Sequence, residues 1–287
     1  MEPRHWSPGV PRAAVPPRSP GVPRAATPGA PEVEIRVLGP IEVVGASRAF
    51  ERTASLELVV YLAMHPRGVT TDAWATALWP DRLAAPATLH STASAARHAL
   101  GRSAAGTFHL PRGRARLRLA SSVAVDWWRL GALAGSPDPE RWLEGLQLVR
   151  GRPFEGLRAL DWTVLEGFAA DTEEVVVGLA LRLGESRLGA GDGDGAAWAA
   201  QRGLLAAPFD ERLHRLVLRA ADLRGNRSGV ESAMGRLLRL LGAEGLPPEP
   251  IAAGGIPPGW AELVHPETLE LYRSLSGRAT GGACVRR

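Results

Sequence analysis

Residues 32–125 carry two short strands, three helices and a basic hairpin in that order, and few folds accommodate such a succession of elements. Glu34-Ile35-Arg36-Val37-Leu38 alternates polar and apolar residues as a strand, Gly39-Pro40 breaks it, and residues 41–44 read as a second short strand. A helix is predicted over residues 53–64, with Leu56, Val59, Val60 and Ala63 on one face, and His65-Pro66-Arg67-Gly68 stops it. Val69-Thr70-Thr71-Asp72 is a helix start with a hydroxyl cap; residues 73–79 follow before Pro80. A third helix is predicted over residues 86–100, with Pro86 in its first turn and Gly101 just past its end. Residues 108–110 and 114–119, separated by Pro111-Arg112-Gly113, then read as a β-hairpin.

The charge of this region is as unusual as its order. Residues 82–125 hold Arg82, Arg97, Arg102, Arg112, Arg114, Arg116 and Arg118 and no acidic residue, while the formal charge of the whole chain is only +4. The remainder therefore sums to −3, and the basicity is local. A compact cationic surface suits a polyanion such as DNA. Charge alone is equally compatible with a solvated positive face, so the positions of the arginines decide.

In the third helix Leu89, Ala93, Ala96 and Leu100 form an apolar stripe for a core, and the opposite side is expected to show His90, Ser91, Ser94, Arg97 and His98. All five side chains can hydrogen-bond phosphates or base edges. In the hairpin, spacing two puts Arg114, Arg116 and Arg118 on one face of a strand and Leu117 and Leu119 on the other, with Arg112 in the turn. Strands, three helices and a hairpin describe a winged helix, whose third helix enters a major groove while the wing lies over neighbouring phosphates. Double-stranded DNA is accordingly the expected partner. The site residues are His90, Ser91, Ser94, Arg97, His98, Arg102, Arg112, Arg114, Arg116 and Arg118.

From Asp126 onward the pattern is helical, over about residues 127–134, 139–150, 162–188, 195–206, 210–223, 229–241 and 266–275. Gly191, Ala199, Arg202 and Leu204 reappear as Gly225, Ala233, Arg236 and Leu238, at the 34-residue period of tetratricopeptide-like helix hairpins. The fold class expected is mainly α with small β: a winged helix-turn-helix over residues 32–125, followed by a tetratricopeptide-like all-α domain over residues 126–275. Residues 1–31 hold nine prolines and an exact repeat, Ser7 to Ala14 recurring as Ser19 to Ala26, and read as a disordered tail. Residues 276–287 read as a second, flexible tail.

Other chemistries find no support. Cys284 is the single cysteine, so no disulfide can form within the chain. No Gly-x-Ser-x-Gly, His-Glu-x-x-His, Cys-x-x-Cys or Gly-x4-Gly-Lys-Ser/Thr is present, and Asp192-Gly193-Asp194-Gly195 lacks the later ligands of a calcium loop. The expectation is a non-enzyme with no cofactor and no metal. Residues 1–14 have no apolar signal region, and the best apolar run, residues 175–181, is far too short for a bilayer, so a cytoplasmic protein without a membrane segment is expected.

Several residue strings resemble a known family. Arg36-Val37-Leu38-Gly39-Pro40-Ile41-Glu42-Val43, Tyr61-Leu62-Ala63-Met64-His65-Pro66, Ala77-Leu78-Trp79, Thr88-Leu89, Ser94, Arg97 and Ala99-Leu100-Gly101 are similar to the winged-helix domain of the Streptomyces antibiotic regulatory proteins. Val125-Asp126, Val149-Arg150-Gly151, Asp161-Trp162, residues 208–216 and residues 265–272 resemble the bacterial transcriptional activator domain of the same family. The resemblance implies a response-regulator-type winged helix fused to a tetratricopeptide-like domain. It also implies binding to direct repeats near promoters, commonly as a homodimer, and recruitment of RNA polymerase. The chain departs from that pattern in its third helix, where the family carries more basic residues and this sequence has His90, Thr92, Ala95 and His98. A second reading stays open at this point, a protein-interaction scaffold whose winged helix no longer binds specific DNA.

Overall fold

The computed structural model describes residues 32–113, 115–242, 256 and 258–277. The expectations for the proline-rich residues 1–31, for Arg114, for most of the loop from Gly242 to Gly259 and for the end from residue 278 fall outside them.

Strand β1 (Val33–Arg36) is the centre of a three-stranded sheet of order β2-β1-β3. It buries Val33 and Ile35 on one face, as the alternation requires. Strand β2 (Glu42–Val44) pairs antiparallel, with Ile35 opposite Val43. Strand β3 (Val123–Val125) pairs parallel, with Val33 opposite Val123. The parallel pairing needs a crossover, and three helices supply it: α1 (Thr53–Met64), α2 (Thr71–Leu78) and α3 (Pro86–Leu100). β3 was not legible as a strand in the sequence.

The bounds of α1 and α3 match the sequence reading. α2 starts as expected, with the Thr70 hydroxyl accepting from the Ala73 amide at 3.3 Å. α1 is more deeply enclosed than a one-faced helix: nine of its twelve residues are buried. It packs against α2 and α3, and its Tyr61 and Ala63 also hydrogen-bond with Glu166 and Trp128 of the helical part. α3 ends at Gly101, whose φ of 82° and ψ of −152° lie in a region open essentially to glycine. A Cβ there would sit 1.7 Å from the Ser47 hydroxyl.

The hairpin departs from expectation. Residues 108–110 and 115–119 do not form a strand pair of their own. Leu117 instead exchanges both backbone hydrogen bonds with Val69, at 2.8 and 2.9 Å, and the two arms meet where the Ala120 amide donates to the His109 carbonyl at 2.8 Å. Pro111 has no amide to give to a ladder. Val69, just ahead of α2, offers both a donor and an acceptor.

The helical part comprises α4 (Asp126–Ala134), α5 (Pro139–Gln147), α6 (Asp161–Leu165), α7 (Phe168–Gly189), α8 (Gly193–Ala206), α9 (Glu211–Leu223), α10 (Arg227–Leu240), α11 (Pro258–Ala261) and α12 (Pro266–Gly277). Gly167, at φ 83°, splits the single helix expected over residues 162–188 into α6 and α7. The 34-residue period is carried by the turns. Gly191 and Gly225 take φ of 75° and 64°. One residue later Asp192 and Asn226 cap α8 and α10, each accepting at 2.8 Å from the amide three residues on, Gly195 and Gly229. Glu185 on α7 and Arg219 on α9, also 34 residues apart, are joined by an ion pair. The architecture is a winged helix-turn-helix followed by a tetratricopeptide-like stack.

The two parts share one core, which runs from Val33 and Ile35 through α1 to Leu183 and Leu213. The join is polar as well. Buried Asp126, at the start of α4, accepts from the amides of Val37 and Leu38 at 2.9 to 3.1 Å. Its pKa is pushed up to about 6: burial outweighs the hydrogen bonds and the charge of Arg150, which pull the other way. Glu57 accepts from the amides of Arg158 and Ala159, and Trp128 donates to the Ala63 carbonyl at 2.9 Å. Glu166 receives both the Tyr61 hydroxyl, at 3.0 Å, and His65 Nε2, at 2.8 Å.

Candidate nucleic-acid interface

α3 is held by the contacts of its inner side. Ala96, Ala99 and Leu100 are buried, and Leu89 and Ala93 pack against the same core. What remains outward is short and weakly charged. His90, Ser91 and His98 are exposed and Ser94 is half-buried. The Ser91 hydroxyl is partly committed, donating to the Thr88 carbonyl at 3.0 Å.

Arg97 does not share that outward face. It is only 8% exposed, and its Nε donates to the Leu110 carbonyl at 2.9 Å. Burial, and after it the charge of neighbouring Arg112, hold its pKa below the ordinary arginine value. Helical period alone assigned it outward. The long side chain instead folds over the edge of the apolar stripe to reach the Leu110 carbonyl, which has no other hydrogen-bond partner among the described residues.

The arginines beyond α3 fare differently. Arg112, Arg116 and Arg118 are exposed, whereas Leu117 and Leu119 are half-buried against the core, so the alternation of this arm survives although its partner strand is Val69. Arg116 is positioned by a bond from Nη1 to the Gly68 carbonyl at 2.8 Å. Arg114 lies outside the described residues. Arg102 follows α3 directly; its guanidinium lies 3.8 Å above the centre of the Phe108 ring and donates to the Gly106 carbonyl at 2.6 Å. Phe108 escaped the sequence reading, which took it for an ordinary strand residue. The available signal was Gly106 placed to turn the chain so that residues 102 and 108 come opposite each other.

The arrangement is thus a hydroxyl- and imidazole-bearing helix face without an outward arginine, with exposed guanidinium groups on the segments that follow it. Such a surface can donate hydrogen bonds and positive charge to phosphates, but carries none of the bidentate base-reading side chains along α3 itself. Among the described residues no cluster of histidine, cysteine, aspartate and glutamate could hold a metal ion, and no helix is long and apolar enough to cross a membrane.

No protein-family model and no curated protein sequence matches the chain. Among solved structures it is similar to Mycobacterium tuberculosis EmbR in complex with a low-affinity phosphopeptide, at 21% sequence identity and a TM-score of 0.53, over 87% of this chain and 69% of that one. A match over that share of the chain must take in most of both the winged helix and the helical stack.

Proposed function

We propose that the chain is a DNA-binding transcriptional regulator in which residues 32–125 bind duplex DNA and residues 126–275 serve self-association or contact with RNA polymerase. The observation that carries this reading is the coincidence of charge and fold. The acid-free segment 82–125 takes in α3 and the arm that follows it, which correspond to the third helix and wing with which a winged helix engages DNA. In this reading His90, Ser91, Ser94 and His98 face the major groove, and Arg102, Arg112, Arg116 and Arg118 contact phosphates, with Arg114 added from the same arm. Arg97 acts from behind, as a brace between α3 and the arm. A cytoplasmic location, expected from the absence of a signal region and of a long apolar run, and an activating role, implied by the family resemblance of the sequence, belong to the same proposal.

The burial of Arg97 favours one alternative. With it turned inward, α3 presents no arginine to a groove, as expected of a helical scaffold whose winged helix has lost specific DNA binding. The two readings separate on two measurements taken together. Replacing Arg112 and Arg118 together by alanine should weaken binding to duplex DNA if the first holds. If binding partners survive nuclease treatment and the double variant binds DNA as the parent does, the scaffold reading stands.

A further inference from the structure

A rigid aromatic platform sits at the C-terminal end of α3. Arg102 and Phe108 face each other across an antiparallel bridge, so their side chains emerge on the same side of the backbone. The five residues between them form a closed turn. The Ser103 amide donates to the Thr107 carbonyl at 2.7 Å, the Gly106 amide to the Ser103 carbonyl at 2.8 Å, and the Ser103 and Thr107 hydroxyls lie 2.8 Å apart. The turn is tied to the rest of the fold by the Ala104 amide, which donates to Glu32 at 2.7 Å, and by the His109 amide, which donates to the Gly101 carbonyl at 3.1 Å.

On this base the guanidinium carbon of Arg102 lies 3.8 Å from the centre of the Phe108 ring, and Nη1 donates to the Gly106 carbonyl. No protein partner meets its other donors among the described residues, and the side chain is exposed. His98 makes a T-shaped contact with the Phe108 ring, the centroids 6.1 Å apart and the planes at 89°. His98 is the last member of the stripe His90, Ser94, His98, which recurs every four residues along the outward side of α3. The platform therefore continues that stripe beyond the end of the helix.

We infer that Arg102 is a pre-oriented phosphate anchor for duplex DNA at the C-terminal end of α3, and that Phe108 is its positioning residue. The inference rests on the DNA-binding reading above. An exposed arginine ordinarily loses rotamer freedom when it engages a phosphate; one already held over a ring and a carbonyl has less to lose, and its planar fork presents two parallel donors. Cation–π attraction by the Phe108 ring supplies the holding force, and a phosphate supplies the counter-charge.

The test is a double-mutant cycle on the full chain, read as fluorescence anisotropy with a random-sequence duplex across a salt series and with thermal melting of every variant as the control for folding. Arg102→Ala should weaken binding by about fivefold or more and reduce the log–log salt slope by about one. Phe108→Leu should weaken it by about threefold with Arg102 present and by nothing further in Arg102→Ala, and Phe108→Tyr, which keeps the ring face, should bind as the parent does. The inference is overturned if Arg102→Ala leaves the slope unchanged, if Phe108→Leu costs the same in both backgrounds, or if Phe108→Tyr is as weak as Phe108→Leu. A parent protein with no salt-dependent binding at all would overturn the DNA-binding reading, and this inference with it.

Discussion

Arg97 Nε donates to the Leu110 carbonyl at 2.9 Å, and this bond ties the third helix to the arm that leads into Arg112. Leu110 is fully buried, so its carbonyl has no water to fall back on. Truncating Arg97 to alanine should therefore cost about 1–3 kcal/mol of folding stability, the range for an orphaned buried acceptor. Chemical denaturation measures that loss. The salt slope of DNA binding should stay at the parent value under conditions where the variant is folded, which separates a brace from a groove contact.

Arg112 and Arg118 make the opposite prediction. Both are exposed and neither supports the core. Each alanine replacement should leave stability within about 0.5 kcal/mol of the parent, as is usual for surface positions. Each should lower the magnitude of the log–log salt slope by about one, with affinity falling evenly across DNA sequences.

Gly101 sets where α3 ends and where the Arg102 platform begins. Its backbone region is open essentially to glycine, and a Cβ would collide with Ser47. Gly101→Ala should cost about 1–3 kcal/mol from backbone strain alone, with the clash added to it. A melting temperature equal to that of the parent would show that the end of α3 is not constrained as described.

Asp126 gives stability a pH dependence of defined sign. Its folded pKa, about 6, lies above the ordinary 3.8, so the fold favours the protonated carboxyl relative to the unfolded chain. Its contribution is fully present below pH 3.8 and is lost as pH rises through about 6. That interval corresponds to about 3 kcal/mol. The stability difference between the parent and Asp126→Asn should change by an amount of this order between pH 4 and pH 7, in the direction that weakens the parent relative to the variant. A pH-independent difference would contradict the burial described for this carboxylate.

The sequence made legible whatever proline, glycine and local period mark. Pro86 and Gly101 bracket α3, His65-Pro66 closes α1, and the 34-residue period reappears as paired caps at Asp192 and Asn226. What failed was partner choice. Leu117 alternates as a wing residue should, but its partner is Val69 and not the arm just before it, because a period says which way a side chain points and nothing about which strand it meets. β3 has only three residues and runs straight into α4, so no pattern could announce it. Among the site residues, the short polar ones of α3 fell where period placed them. Arg97 did not, since a side chain of that length can start at the edge of a stripe and still end inside.

The central claim is that the arginines around α3 form a phosphate-binding surface. Binding of the full chain to random-sequence duplex DNA, followed from low to moderate salt, tests it most directly. With Arg102, Arg112, Arg114, Arg116 and Arg118 in contact, the account predicts a log–log slope of about −4.5, at about −0.9 for each neutralised phosphate. No binding even at low salt, by a protein whose melting shows it to be folded, would contradict it.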